Sequence, residues 1–204
     1  MSHPTLPPGV RVFERGWLSA NKILAAPGHD PDAVMLFEPA SRTLICGDAL
    51  WAHGFGVVFP ELEGEPGFDA VAATLTLIER LAPRVVIPGH GSPFGDAEYC
   101  GAGPAEPVAS ALAVARQRLQ SFAADPARHR RHALKVLLKF KPLQWQRQPL
   151  AAVYAWAQQV PLLLRLHARC RDAPPFAQWL DAVIDDLCAN QAARRVGDML
   201  VDGT

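Results

Sequence analysis

The chain has 204 residues, half of them apolar, enough for one core and a small second one. Twenty Lys and Arg balance twenty Asp and Glu, so no overall field favours nucleic acid or a membrane surface, and either partner would need a local patch. The opening MSHPTLPPGV lacks a basic region followed by an apolar run, and no stretch approaches about eighteen uninterrupted apolar residues, so a soluble cytoplasmic protein is expected.

In chain order, short apolar segments at 10–13 and within 17–24 are compatible with strands. The loop Pro27-Gly28-His29 follows. Residues 33–37 (AVMLF) form a strand-like run, 38–42 a turn, and 43–46 (TLIC) a returning strand, so a hairpin is predicted that ends at Gly47-Asp48. Phe68, Val71, Ala72, Leu75, Ile78 and Leu81 recur at three- and four-residue steps, the stripe of an amphipathic helix closed by Pro83. Residues 85–87 (VVI) then read as a buried strand that delivers Pro88-Gly89-His90 at its C-terminal end. Hairpin, helix and strand in this order define α/β organisation.

The Gly/Pro-rich stretch GSPFGDAEYCGAGPAEP marks a domain boundary, giving a first domain over 1–100, a linker at 101–107 and a helical domain over 108–204. Gly101-Ala102-Gly103 lacks the lysine and hydroxyl residue of a phosphate loop. Helices are expected at 108–123, 129–141, 150–157 and 176–189, with proline breaks between them. A hairpin about Gly197-Asp198 follows, so the second domain reads as winged-helix-like. Trp145, Trp156 and Trp179 fit its core. Arg128, Arg130, Arg131, Lys135, Lys139 and Lys141 form a run without acids; in a neutral chain a solvated helix face is favoured over a nucleic-acid interface. Cys46, Cys100, Cys170 and Cys188 show no C-x-x-C pair and read as reduced, buried thiols, with Cys46 turned into the core.

A lone loop histidine is usually solvated, and a lone Gly-Asp is usually a turn. Here His29, Asp48 and His90 each follow a glycine, His29 in its loop and Asp48 and His90 at predicted strand ends. Glycine permits the sharp turn, proline stiffens the approach, and a packed strand fixes the side chain. Neutral imidazole and carboxylate oxygen are ordinary zinc donors, so these three are the metal candidates. Trp51 and His53, in DALWAHGFGVVFPEL, border that site as candidate substrate contacts.

APGHDPDAVMLFEPASRTLICGDALW, FPEL and VVIPGHGSPF together resemble the C-terminal half of the metallo-β-lactamase superfamily, in its glyoxalase II and lactamase-like hydrolase branch. The tail RHALKVLLKFKPLQWQRQPL to RRVGDMLVD looks like the winged-helix-type domain of some members. The resemblance implies a partial αβ/βα sandwich followed by that helical domain. It also implies one or two zinc ions, with His29 on one metal, Asp48 as the bridging carboxylate and catalytic residue, and His90 on the second metal. The family's H-x-H-x-D-H signature would lie upstream of His29, where only His3 stands, and no H-x-H pair occurs in the chain. The opening GVRVFERGWLSANKIL runs directly into the His29 loop, so the metal site is expected to be incomplete and to bind one ion weakly.

The resulting expectation is a metal-dependent hydrolase of a small-molecule ester or thioester, acting through metal-bound hydroxide. The competing expectation is a catalytically silent remnant whose helical domain binds a partner such as nucleic acid. A lone half of the sandwich leaves a sheet face to be covered by the C-terminal helices or by a second copy of the chain, so self-association is expected.

Overall fold

The computed structural model describes residues 22–97, 106–170 and 173–203. The segment 10–13, most of 17–24, most of the 101–107 linker and Cys100 lie outside them. The first sheet has five strands in the order β1-β2-β3-β4-β5: β1 (Lys22–Ala25), β2 (Val34–Glu38), β3 (Thr43–Gly47), β4 (Val85–Pro88) and β5 (Phe94–Gly95). The predicted hairpin is β2 with β3, antiparallel, Leu36 facing Ile45. Its turn is drawn in by the Glu38 carboxylate, which accepts from the Ala40 and Ser41 amides.

Between β3 and β4 come a short helix α1 (Phe59–Glu63) and the predicted amphipathic helix α2 (Phe68–Leu81). That crossover lets β3 and β4 run parallel, with Gly47 opposite Pro88. The strand ends at Gly47-Asp48 and at Pro88-Gly89-His90 therefore emerge from one edge of the sheet. Their backbones are joined by the Gly89 amide donating to the Gly47 carbonyl at 2.7 Å.

Alternation along the strands buries Met35, Phe37, Leu44, Cys46 and Val86 on one face. There they meet Val71, Leu75 and Ile78 of α2, and Ala111, Leu112, Ala115, Leu119 and Phe122 of α3 (Val108–Ala124). At about 1.5–3 kcal/mol per fully buried large apolar side chain, this one face dominates the sheet's stability. Across the other face, Ile23, Leu36, Ile45 and Ile87 stand in register on four neighbouring strands. Ile23 is 55 % and Ile45 40 % exposed there.

The remaining elements are α4 (Pro126–Trp145), β6 (Arg147–Pro149), α5 (Leu150–Ala157), α6 (Pro161–Ala168), α7 (Phe176–Ala189), β7 (Ala193–Val196) and β8 (Met199–Asp202). They gather a second core, with Leu134, Leu138, Val153, Leu163, Leu166, Leu180 and Ile184 at its centre. Val57 and Leu62, from the α1 region, join this core and tie it to the first half. The predicted hairpin about Gly197 is β7 with β8, and β6 adds to it as a third strand in the order β6-β8-β7. Lys139 closes the sheet against α4 by pairing with the buried Asp202.

Periodicity does not predict helices α1 and α6, because Pro60 and Pro161 read as breaks. Both prolines sit instead in the first turn, where a missing amide hydrogen costs nothing. For the same reason α4 begins at Pro126, three residues before the expected start. Its first turn is capped by Asp125, whose carboxylate accepts from the Arg128 amide at 3.1 Å.

Candidate metal centre

The loop between β1 and β2 is pinned at both ends. The Ala26 amide donates to the Ala33 carbonyl at 2.8 Å, and the Thr74 hydroxyl of α2 donates to the Pro27 carbonyl at 2.8 Å. Gly28 has φ +145°, and a Cβ there would fall 2.6 Å from a methyl of Val71, so only glycine lets the loop lie on α2 in this conformation. The next side chain, His29, is thereby projected over the sheet edge.

Its ring is fixed by a second contact. Nδ1 lies 2.6 Å from the Val57 carbonyl, which can only accept, so Nδ1 carries a hydrogen and donates it there. Nε2 faces Asp48 Oδ2 at 3.3 Å. The ring edge meets Phe59, with centroids 5.1 Å apart. An imidazole held through its far nitrogen by a carbonyl is the usual support of a metal-binding histidine.

Asp48 is oriented from the other side. The Trp51 indole N–H donates to Oδ1 at 3.1 Å, and His90 Nε2 stands 3.8 Å from the same oxygen. The approach requires bare backbone nearby: a Cβ on Gly56 would come within 2.7 Å of His29 Nδ1, and one on Gly89 within 2.7 Å of Asp48 Oδ1. His90 is half exposed and lies between the edges of Trp51 at 5.4 Å and Phe140 of α4 at 5.3 Å. The structure thus brings His29, Asp48, His90 and Trp51 together. His53 is exposed in the tight Trp51–Gly54 turn and makes no contact with the trio among the described residues.

Two donors about 2.0–2.2 Å from one tetrahedral ion stand about 3.4 Å apart, close to the His29–Asp48 separation and longer than an ordinary hydrogen bond. The donor types and this spacing fit a divalent metal. Each imidazole addresses a different carboxylate oxygen, however, so the arrangement is two donor pairs sharing Asp48. Among the described residues no group of three or more His, Cys, Asp or Glu side chains is closed around a single point. Cys46 is no further donor: burial pushes its thiol up to about 12, and its Sγ lies 3.1 Å from the Leu50 carbonyl in the core.

The trio's residue types are legible from sequence, but their supports are not. Val57, Phe59 and Gly56 lie in an apolar stretch with no polar side chain to mark it. Phe140 reaches His90 from fifty residues away along the chain. No local sequence signal marks Phe140, which is 45 % exposed in the fold.

Residues 16–90 match the model of the metallo-beta-lactamase superfamily, so the segment carrying all three tips ends on His90 itself. That segment is similar to the superfamily. No curated protein matches it. Among solved structures it is similar to TTHA1623 in a di-iron-bound form (28 % identity over 48 % of this chain and 50 % of that one, TM-score 0.35). It is also similar to the metallo-beta-lactamase family protein TTHA1429 from Thermus thermophilus (20 %, 89 % and 49 %, TM-score 0.33). A beta-lactamase domain protein from Burkholderia ambifaria is a third (19 %, 98 % and 54 %, TM-score 0.38). The chain spans about half the length of each. No helix among the described residues is long and apolar enough to cross a membrane.

Proposed function

We propose that the chain is a metal-dependent hydrolase of an ester or thioester, with His29, Asp48 and His90 as its zinc ligands. The observation that carries this reading is that two imidazole Nε2 atoms flank opposite oxygens of one carboxylate. A bound ion supplies Lewis acidity and lowers the pKa of water toward neutrality. The chain's own contribution is positional. Val57 sets the His29 tautomer, Trp51 orients Asp48, and Trp51 with Phe140 forms an apolar wall at His90 against which an acyl group can lie.

The test is turnover of a chromogenic ester and a simple thioester with and without added zinc. Asp48→Asn should lower the zinc-dependent rate by more than the about 10–100-fold typical of losing a ligand's outer partner. An unchanged rate in that variant would remove the assignment.

A second reading, a catalytically silent remnant, is favoured by the donor count. Each Asp48 oxygen has one imidazole beside it, below the three protein ligands of an ordinary catalytic zinc. In that case the function lies in residues 108–204, which we read as a winged-helix-like domain of helices α3 to α7 with the three-stranded sheet. Nucleic acid is a poor partner for it, since Lys135 and Lys139 of the basic run are paired with Asp186 and Asp202. No turnover at any zinc concentration would support this reading.

A further inference from the structure

Away from the trio, α3, α4 and α7 enclose an open cleft of about 950 Å³. Its lining combines the half-buried Trp179 and the largely buried Phe122 with charged side chains. Arg118 of α3 and Arg128, Arg131 and Lys135 of α4 line it against two acids, Asp125 and Asp186. The α4 cations share the cleft because they recur at three- and four-residue steps, one face of a helix.

Two of the four cations are answered. Arg131 lies 3.5 Å from Asp125, and Lys135 lies 2.5 Å from Asp186. Arg118 and Arg128 make no ion pair among the described residues. Arg118 feels this: its pKa is lowered first by burial and then by the charge of Arg128. In the same wall His132 Nε2 is buried without a hydrogen-bond partner. Burial, then Arg118 and Lys135, hold that imidazole down to about 4, so it is neutral near pH 7. Arg118 is also held in place, packed so closely over Gly54 that a Cβ there would fall 2.5 Å from Nη1.

A cleft with two surplus guanidiniums carries self-repulsion that an anion would relieve. The surplus of two positive charges matches a phosphate monoester, which carries about −1.5 to −2 at neutral pH, and guanidinium forks bind phosphate oxygens in pairs. A cleft near the upper end of ligand-pocket volumes, with Trp179 in its lining, also has room for an organic body beside the phosphate. We propose that this cleft binds a small phosphorylated molecule with an aromatic body, its phosphate between Arg118 and Arg128 and its ring against Trp179.

The proposal is independent of the hydrolase reading, and the experiment separates them by working in excess chelator, where no metal site can bind phosphate. Phenyl phosphate, inorganic phosphate and phenol are titrated calorimetrically into the full chain. Phenyl phosphate should bind saturably and more tightly than either fragment. Arg118→Gln and Arg128→Gln should each weaken it about tenfold or more, as for loss of a charge-assisted hydrogen bond, while Arg80→Gln on exposed α2 leaves it unchanged. Arg128 is exposed, so its variant carries the test even if Arg118→Gln unfolds. No saturable binding at millimolar concentration, equal weakening by Arg80→Gln, or inorganic phosphate binding as tightly as phenyl phosphate would each overturn the proposal. So would an oligonucleotide that displaces phenyl phosphate at far lower concentration.

Discussion

His29, Asp48 and His90 illustrate what single residues disclose. Their identities, each behind a glycine, are enough to mark them as ligand candidates, because few other uses require an imidazole or carboxylate projected from so stiff a loop. What the residues do not disclose is their aim. That depends on the Val57 carbonyl and the Trp51 indole, groups whose roles exist only once the chain has folded. Trp51 is legible as a neighbour of the site but not as the group that orients Asp48, and its sequence companion His53 turns outward. Trp51→Phe keeps the wall at His90 and removes only the hydrogen bond to Oδ1. Zinc affinity in equilibrium dialysis should fall about tenfold, the low end for losing an outer partner of a metal ligand. An affinity equal to the parent's would show that Asp48 is held by other means.

At the scale of elements, the parallel pairing of β3 with β4 matters most, since it brings two separate strand ends to one edge. The hairpin and α2 are readable because alternation and the 3.6-residue period are local signals. Helices α1 and α6 are not, because proline at a helix start and proline at a helix break are the same letter. The joint between the two halves is equally hidden. His129, on α4, is buried and accepts the Val58 amide through Nε2 at 3.2 Å, linking the segment before α1 to the helical core. Burial first, then the nearby charges of His132 and Arg130, lower its pKa to about 4, against an ordinary value near 6.5. The unfolded chain therefore binds more protons between these values. Stability from this joint is complete above about pH 6.5 and is lost as pH falls toward 4, by at most about 3 kcal/mol. Denaturant midpoints should drop from pH 7 to pH 5, and the drop should shrink in His129→Gln. An equal drop in both would assign the effect elsewhere.

For the whole molecule, the sequence predicts an α/β unit joined to helices and a terminal hairpin. It does not predict that α3 packs on the first sheet while Val57 and Leu62 cross into the second core. Such exchanges depend on tertiary packing that periodicity cannot carry. The row Ile23, Leu36, Ile45 and Ile87 lies across the outer sheet face, and we propose that a second copy of the chain covers it. Sedimentation should then show a dimer that dissociates on Ile45→Lys, and a concentration-independent monomer in the parent would contradict it.

The most direct test of the account is zinc retained after dialysis, compared across the parent, His29→Ala, Asp48→Asn and His90→Ala. The parent should keep metal weakly, losing it to a competing chelator, and each substitution should abolish retention. Equal metal content in all four, or none in the parent at any zinc concentration, would mean that the three tips meet for some other reason.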